Sequence, residues 1–413
     1  MNESDSERIA GVLENIRYKQ TFKIDKADLI VVNMCSIRQS AVDRIYGLRQ
    51  KFNKLKDYNP KLITILTGCI LKKDKGRFSE YFDFILDIKN LPNWPKIINN
   101  KYKILNTKYY LNIKPKYSLP KIAYIPISNG CNNFCTYCVV PYVRGPLIHR
   151  KTKDIIKEVK TLIKNNYKEI WLLGQNVNNY QGKLKDQDSK LINFPKLLEL
   201  INNIPGDFWI RFTSSNPKDF SDELINIMTK CKKITPYLNL PVQSGNNEIL
   251  EKMNRKYTIE KYKEIIKKIR KKIPDIVLST DIIVGFPGET KKQFNDTAKI
   301  LKKVKFDMAY INQYSSRPET LASKIKDNVS KKEKKERWEI LNEILKQTAL
   351  EKNKKYIGKI IKILPVEWKN GFLFGKSFDY KSVKIKGPKK LLGEFIKVKI
   401  TNASPWGLKG YYK

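Results

Sequence analysis

The chain runs to 413 residues, enough for two or three domains with cores of their own. It has no apolar run of the roughly 18 residues that a bilayer crossing needs. Its polar, acidic N-terminus lacks the apolar segment of a signal peptide, so a cytoplasmic protein with no membrane contact is expected.

Lys and Arg number 82 against 41 Asp and Glu, a net charge of +41 that favours a polyanionic partner, above all nucleic acid. A composition rich in Lys, Asn and Ile, as an AT-rich genome imposes, also raises the charge of any surface. Six cysteines in a reducing compartment point to metal or catalysis rather than to disulfides.

The opening stretch, MNESDSERIAGVLENI, reads as a helix: Ser4 and Glu7 stand at capping-box spacing, and Ile9, Val12, Leu13 and Ile16 share one face. LIVVN (29–33) is an apolar strand leading to Cys35, and the helix-like SIRQSAVDRIYGLRQKF follows. A second strand, LITILTG (62–68), leads directly to Cys69. Two strands that each end in a cysteine place both thiols at the carboxyl edge of a sheet, where open parallel sheets hold ligands. Residues 1–105 are expected to form an open α/β sheet domain, and the polar, Pro-bearing segment 106–121 reads as a linker.

From about 122 to 345 the βα rhythm resumes, with strands at 122–128, 169–174, 208–214, 237–242, 278–285 and 308–314. Helical runs such as DIIKEVKTLIKNN and TIEKYKEIIKKIRKKI lie between them. Repeated βα units predict a parallel sheet covered by helices, a complete or partial barrel. A Lys/Glu-rich helix is expected over 330–355, and 356–413 turns to short strands broken by Gly and Pro. The region 350–413 therefore predicts a small antiparallel β-barrel.

The densest chemistry lies in NGCNNFCTYCVVPYVRG, where Cys131, Cys135 and Cys138 have C-x3-C-x2-C spacing in the loop after the first strand of the second α/β region. Three thiolates on one short loop hold three irons of a four-iron cluster and leave the fourth open. Structural zinc is the competing reading, but zinc wants four closed ligands. No fourth stands near, and the sole histidine, His149, lies eleven residues beyond Cys138.

This loop, with Tyr137 before its last cysteine, resembles that of the radical S-adenosylmethionine enzymes. The resemblance implies a partial (β/α)6 barrel. It also implies an open iron that binds the amino and carboxylate groups of S-adenosylmethionine, and reductive cleavage to a radical that abstracts hydrogen. With EIWLLGQNVNNY, LPVQSG, DIIVGFPGET and YSSRPETLA, the whole chain resembles the methylthiotransferases, most closely their tRNA branch. That branch adds a methylthio group at C2 of N6-isopentenyladenosine at position 37 of tRNA, beside the anticodon. Sibling branches act on threonylcarbamoyl-adenosine in tRNA or on a ribosomal-protein aspartate. An RNA-binding protein that has lost catalysis is the reading from another class.

The resemblance further implies a second 4Fe–4S cluster in the N-terminal domain, with Cys35 and Cys69 as two of three ligands. Taken alone, each of those two cysteines reads better as a buried structural thiol, as Cys231 does. Tyr137, Gln175, Asn176, Ser214, Gln243 and Gly285 are implied as contacts for S-adenosylmethionine, since barrels collect ligand contacts at strand ends; turn formation is the bland alternative. Arg144 and Arg150 flank the cysteine loop and suit RNA phosphate, a cofactor carboxylate or plain solvation. The terminal barrel interleaves Lys with Trp368, Phe372, Phe374, Tyr380 and Trp406, which suits RNA; a small barrel also needs rings for its core, so most of these are expected to be buried.

The family pattern is departed from at Asn239, commonly His; at Leu147, commonly acidic; and at SSRPET around Arg317. The family's first domain also opens with a strand ending in the third cluster cysteine, which this chain lacks before its first helix. Met1 is therefore expected to be an internal methionine, with roughly 10–15 residues encoded upstream, the length of one strand and its turn. Implied partners are a tRNA anticodon stem-loop and sulfur and electron donors, and a monomer is expected.

Overall fold

The computed structural model describes residues 1–37, 39–107, 109–184 and 190–412. It divides into two compact units. The first comprises Met1–Ser118, Asn129–Ile148 and Ser315–Lys324; the second comprises Leu119–Ser128, His149–Tyr314 and Ile325–Lys413. By packing, the three-cysteine loop belongs to the first unit, with Cys35 and Cys69.

In that unit α1 (Asn2–Asn15) precedes β1 (Leu29–Met34), α2 (Gln39–Tyr46), α3 (Leu48–Tyr58), β2 (Ile63–Gly68) and the short β3 (Phe84–Ile85). The three strands are parallel in sequential order, and Met34 stands opposite Gly68. Successive strand residues face opposite sides. Ile65 accordingly packs with Ile9, Val12 and Trp94 on one side, and Leu66 with Val42, Phe52 and Phe78 on the other. The helical run after β1 is two helices, divided at Gly47. The cysteine loop carries its own short helix, α4 (Val140–Arg144).

The capping box is absent. Helix α1 starts at Asn2, Met1 makes no side-chain cap bond, and Ser4 and Glu7 lie buried within the helix. The Ser4 hydroxyl accepts from Arg8, and the Glu7 carboxylate accepts from the Ser118 backbone at 2.9 Å and its hydroxyl at 3.0 Å. A neighbour one turn along the same helix has taken the first side chain and a long-range partner the second. The expected linker is also part of this core over its first half, because Tyr110, Leu111 and Ile113 are buried beside Ile9 and Val12. Its few apolar residues cover α1 and outweigh the polar composition around them.

The second unit sets six parallel strands as two three-stranded sheets. The first is β4 (Ile122–Pro126), β5 (Glu169–Leu173) and β6 (Trp209–Phe212); the second is β7 (Tyr237–Asn239), β8 (Val277–Val284) and β9 (Met308–Gln313). A bridge between Ile210 and Ile234 continues one sheet toward the other. Intervening helices such as Thr152–Lys164 and Ile259–Lys272 turn an apolar stripe inward. Ile155, Val159 and Leu162 form it on the first, and Tyr262, Ile265, Ile266 and Ile269 on the second. The result is a partial (β/α)6 barrel. Cys231 is buried at the end of helix Asp222–Lys230.

After α5 (Lys331–Lys354) come β10 (Ile360–Lys369), β11 (Phe372–Ser377), β12 (Ser382–Lys386), β13 (Ile396–Ser404) and β14 (Gly407–Tyr412). They close a barrel in the order β10-β11-β12-β14-β13. Every pairing is antiparallel except β12 with β14. Its core is aliphatic: Ile363, Leu373, Val383, Ile385, Val398, Ile400 and Leu408. The rings expected mostly inside stay outside it, with Trp406 59% and Trp368 39% exposed and Phe372, Phe374 and Tyr380 half-buried. β-Branched and leucyl side chains fill so narrow an interior, which leaves the aromatics on its wall.

The two barrels of this unit are tied by buried charge. Arg211 on β6 meets Glu169 at 2.8 Å and donates to the Ser377 and Phe378 carbonyls at 2.7 and 2.9 Å. The Tyr380 ring lies 4.4 Å from Tyr237 and 5.1 Å from Trp171. Asp307 receives Lys381 and Lys352, both at 2.7 Å. Among the described residues no helix is long and apolar enough to cross a membrane.

Candidate functional site

The three-cysteine loop is shaped by its glycines and backbone bonds. Gly130 holds φ at +81°, and a Cβ there would lie 2.1 Å from the Pro146 carbonyl oxygen. Cys131 N–H donates to the Gly145 carbonyl at 3.2 Å, and Cys138 N–H to that of Cys135 at 2.9 Å. Phe134 takes a left-handed φ of +47° between the first two cysteines. Asn133 points its amide at the Cys131 sulfur at 3.4 Å. Further along, Asn132 accepts from Leu147 N–H at 3.0 Å, and Ala322 N–H ties to the Thr136 carbonyl at 2.8 Å. Cys131, Cys135 and Cys138 form no disulfide and are half-buried, and Tyr137 among them is half-buried too.

Among the described residues no three His, Cys, Asp or Glu side chains are drawn together tightly enough to hold a metal ion. The donor chemistry decides the fit here: three half-buried thiols on one turn, none in a disulfide, suit an iron–sulfur cluster with one iron left open.

Cys35 and Cys69 directly follow β1 and β2, whose last residues pair. Cys69 N–H donates to the Met34 carbonyl at 3.0 Å, and Ser36 donates its hydroxyl to the Cys69 carbonyl. Gly68 is needed where the strand ends crowd: φ is +97°, and a Cβ would sit 2.4 Å from the Met34 oxygen. Cys35 is half-buried and Cys69 buried. Burial pushes the Cys69 thiol up, and the neighbouring Arg144 guanidinium opposes the shift.

Arg144 and Arg150 are both buried and paired, which corrects the expectation of solvated or RNA-facing charges. Arg144 meets Asp5 at 2.7 Å, and Arg150 meets Glu158 at 2.5 Å. Both partners lie outside the loop motif, so the motif alone did not reveal them.

The remaining expected residues stand at strand ends of the second unit. Gln175 and Asn176 follow β5, Ser214 follows β6, Gln243 follows β7 and Gly285 follows β8. Ser214 and Gln243 hold φ at +65° and +63°, backbone strain of the kind that gathers at ligand sites. The first half of the barrel joins its members: the Ser214 carbonyl accepts from Val177 N–H at 3.3 Å, and Asn176 donates to Asp219 at 2.6 Å. Gln243 belongs to the other half, bonded to the Asp281 carbonyl at 2.8 Å. Gly285 N–H is engaged by Glu289 at 2.6 Å.

Buried polar atoms at this edge have no hydrogen-bond partner among the described residues: Ser128 Oγ, Gln175 Oε1, Asn176 Oδ1, Asn178 Nδ2 and Ser215 Oγ. Buried polar groups are normally satisfied. This cradle of unsatisfied donors and acceptors fits a small ligand dense in polar groups, as S-adenosylmethionine is. Ser128, Asn178 and Ser215 were not expected from the sequence, where short polar residues at strand ends are indistinguishable from turn formers.

This barrel and this loop define a radical S-adenosylmethionine enzyme, and the Radical SAM superfamily matches residues 125–301. The superfamily implies a 4Fe–4S cluster and S-adenosylmethionine. The fold is shared with the radical S-adenosylmethionine methyltransferase TsrM from Kitasatospora setae, at a TM-score of 0.52 and 13% identity, covering 78% of this chain and 73% of that one. The uncharacterized protein family UPF0004 matches residues 1–86.

Similarity over the full length is closer. The chain is 42% identical to the tRNA-2-methylthio-N(6)-dimethylallyladenosine synthase of Thermoanaerobacter sp. (strain X514), covering 99% of this chain and 90% of the relative. It is 41% identical to that of Clostridium botulinum (strain Langeland), covering 99% and 94%, and 38% identical to that of Acetivibrio thermocellus, covering 99% and 88%. The chain belongs to the tRNA-2-methylthio-N(6)-dimethylallyladenosine synthase family.

Proposed function

We propose that the protein is a tRNA methylthiotransferase that converts N6-isopentenyladenosine at position 37 to its 2-methylthio derivative. The reading is carried by the three-cysteine loop within a chain similar to those synthases from end to end. Cys131, Cys135 and Cys138 hold the cluster. Tyr137, Gln175, Asn176, Ser214, Gln243 and Gly285 contribute to the S-adenosylmethionine site, and the unsatisfied polar edge at the strand ends supports that placement. When bound, cluster and S-adenosylmethionine together supply one-electron chemistry that abstracts hydrogen from the base. The protein's own part is to hold both and to exclude water from the reacting atoms.

Cys35 and Cys69 provide two ligand positions of a second 4Fe–4S cluster. Their adjacency at the ends of two paired strands supports this, and among the described residues no third ligand joins them. The three regions 1–105, 122–345 and 350–413 divide the work into sulfur insertion, radical generation and RNA binding.

The terminal barrel offers a groove of about 400 Å³ lined by Phe374, Lys376, Lys384, Trp406 and Lys409. Lys384 sits 4.1 Å over the Phe372 ring. Ring faces beside cations suit single-stranded bases and their phosphates, so the anticodon stem-loop docks here. The setting is the cytoplasm, where tRNA and the sulfur and electron donors are found.

Anaerobic reconstitution with iron and sulfide, followed by reduction in the presence of S-adenosylmethionine, tests the enzyme. 5′-Deoxyadenosine is expected from the wild type and none from C131A. An unchanged 2-methylthio content in tRNA from a deletion strain would sink the tRNA substrate.

A further inference from the structure

Strand β8 has two unlike faces. Thr280, Ile282 and Val284 on one are fully buried, whereas Asp281 on the other is half-buried. Residues paired across parallel strands share a face, so Tyr310 of β9, opposite Asp281, stands beside it, 49% exposed. One pleat further from the strand ends, Asn239 of β7 pairs with Ser279, and both are buried, as is Tyr237. This face of the second sheet thus has a closed floor and an open rim. The rim carboxylate is held from the floor: Asn239 donates to Asp281 at 3.1 Å and to the Ser279 hydroxyl at 3.2 Å, and Ser279 shares a 2.9 Å hydrogen bond with the Tyr237 hydroxyl. Asp281 is also joined to the strand-end cradle, because its carbonyl accepts from Gln243 N–H at 2.8 Å while Ile283 N–H donates to the Gln243 carbonyl at 3.0 Å.

We propose that Asp281 is a specificity-determining residue that reads the substrate base by accepting a hydrogen bond from its exocyclic N6–H, and that Asn239 is the residue that positions it. The inference rests on the methylthiotransferase reading. A base that gives up its C2 hydrogen has to lie against the strand ends where the cofactor is held, and Asp281 is the carboxylate bonded to that edge. In N6-isopentenyladenosine the ring nitrogens N1, N3 and N7 accept hydrogen bonds, and N6–H is the only N–H donor on the base. An ionised carboxylate only accepts, and it has lone pairs for several donors at once, so the bond from Asn239 leaves capacity for N6–H. A site built to bond such a group rejects the analogue that lacks it, because its own polar atom is then left unmatched. Tyr310 beside the carboxylate supplies ring surface for the purine.

The test uses the reconstituted full chain with S-adenosylmethionine and no reductant. Two fluorescein-labelled anticodon stem-loops are compared by anisotropy, one carrying N6-isopentenyladenosine at position 37 and the other carrying it with a further methyl on N6, which removes the donor. Wild type is expected to bind the second at least about 10-fold more weakly, the worth of a hydrogen bond to a charged group. D281A is expected to bind both equally weakly. D281N, nearly the same shape, is expected to lose the preference as well and keeps the comparison decisive where D281A does not fold. N239L is expected to weaken binding of the first stem-loop several-fold and to keep part of the preference; wild-type affinity in N239L overturns the role of Asn239. A wild type that does not distinguish the two stem-loops overturns the proposal, as does a wild-type preference in D281A or D281N. The underlying reading is checked apart from this, by adding reductant and a stem-loop deuterated at C2. Deuterium in 5′-deoxyadenosine supports it. 5′-Deoxyadenosine formed without deuterium sinks the methylthiotransferase reading and the proposal with it, whereas deuterium transfer without the N6 preference sinks the proposal alone.

Discussion

Gly130 concentrates several demands on one residue. Its φ of +81° costs an L-residue, and the added methyl would run into the Pro146 carbonyl. The left-handed region alone costs about 1–2 kcal/mol for a residue with a Cβ. G130A is therefore expected to unseat the turn that carries Cys131 and to lower iron uptake, while far-ultraviolet circular dichroism stays near wild type. Arg211 makes a different demand. Its charge is fully buried and answered by Glu169 and two carbonyls. Removing one member of a buried ion pair leaves the other unpaired, a loss of about 3–5 kcal/mol. Urea unfolding of R211M and E169Q measures it; a loss below about 1 kcal/mol in both would rank the pair with exposed ones.

Elements are joined through buried polar residues that periodicity does not mark. Asp307, just before β9, is the clearest case. Burial by itself would raise its carboxyl, but Lys381 and Lys352 outweigh that and hold it below the usual range. A lowered folded value means a stabilisation present above the unfolded value of about 4 and lost as pH falls through the folded one. Thermal midpoints recorded downward from about pH 5 should fall in the wild type. D307N should start lower and fall less; parallel curves would contradict the assignment.

The strands and helices themselves were readable. Apolar runs such as LIVVN and EIWLLG became β1 and β5 because two-sided burial in parallel sheets selects continuous apolar stretches. The three-cysteine loop was readable for its spacing. What spacing could not convey was long-range pairing. Glu7 looked like part of a cap because its partner Ser118 lies 111 residues away in sequence, while Ser4 bonds one turn along its own helix to Arg8. Arg144 looked exposed because Asp5 lies 139 residues away in sequence. The ring-bearing wall of the terminal barrel was misjudged because aliphatic residues already fill its interior.

For the molecule as a whole, the net charge of +41 sets the terms of association. Binding through phosphates releases counterions, and a protein that makes 6–10 such contacts loses about 10³–10⁵ in affinity between 50 and 200 mM salt. tRNA binding should weaken steeply across that range, whereas S-adenosylmethionine cleavage without tRNA should hardly respond. W406A should weaken tRNA binding by about 1–3 kcal/mol, the worth of one stacked base, and leave that cleavage intact.

The turn between β11 and β12 has a consequence for transplantation. Its carbonyls at Ser377 and Phe378, with Tyr380 and Lys381, complete the charge and ring packing of Arg211, Trp171 and Asp307. The terminal barrel is therefore not an interchangeable cartridge. A chimaera that grafts another protein's terminal barrel after α5 would strip Arg211 of two acceptors unless the turn travels as a set with its hosts. Lineages exchanging such modules would have to inherit turn and socket together.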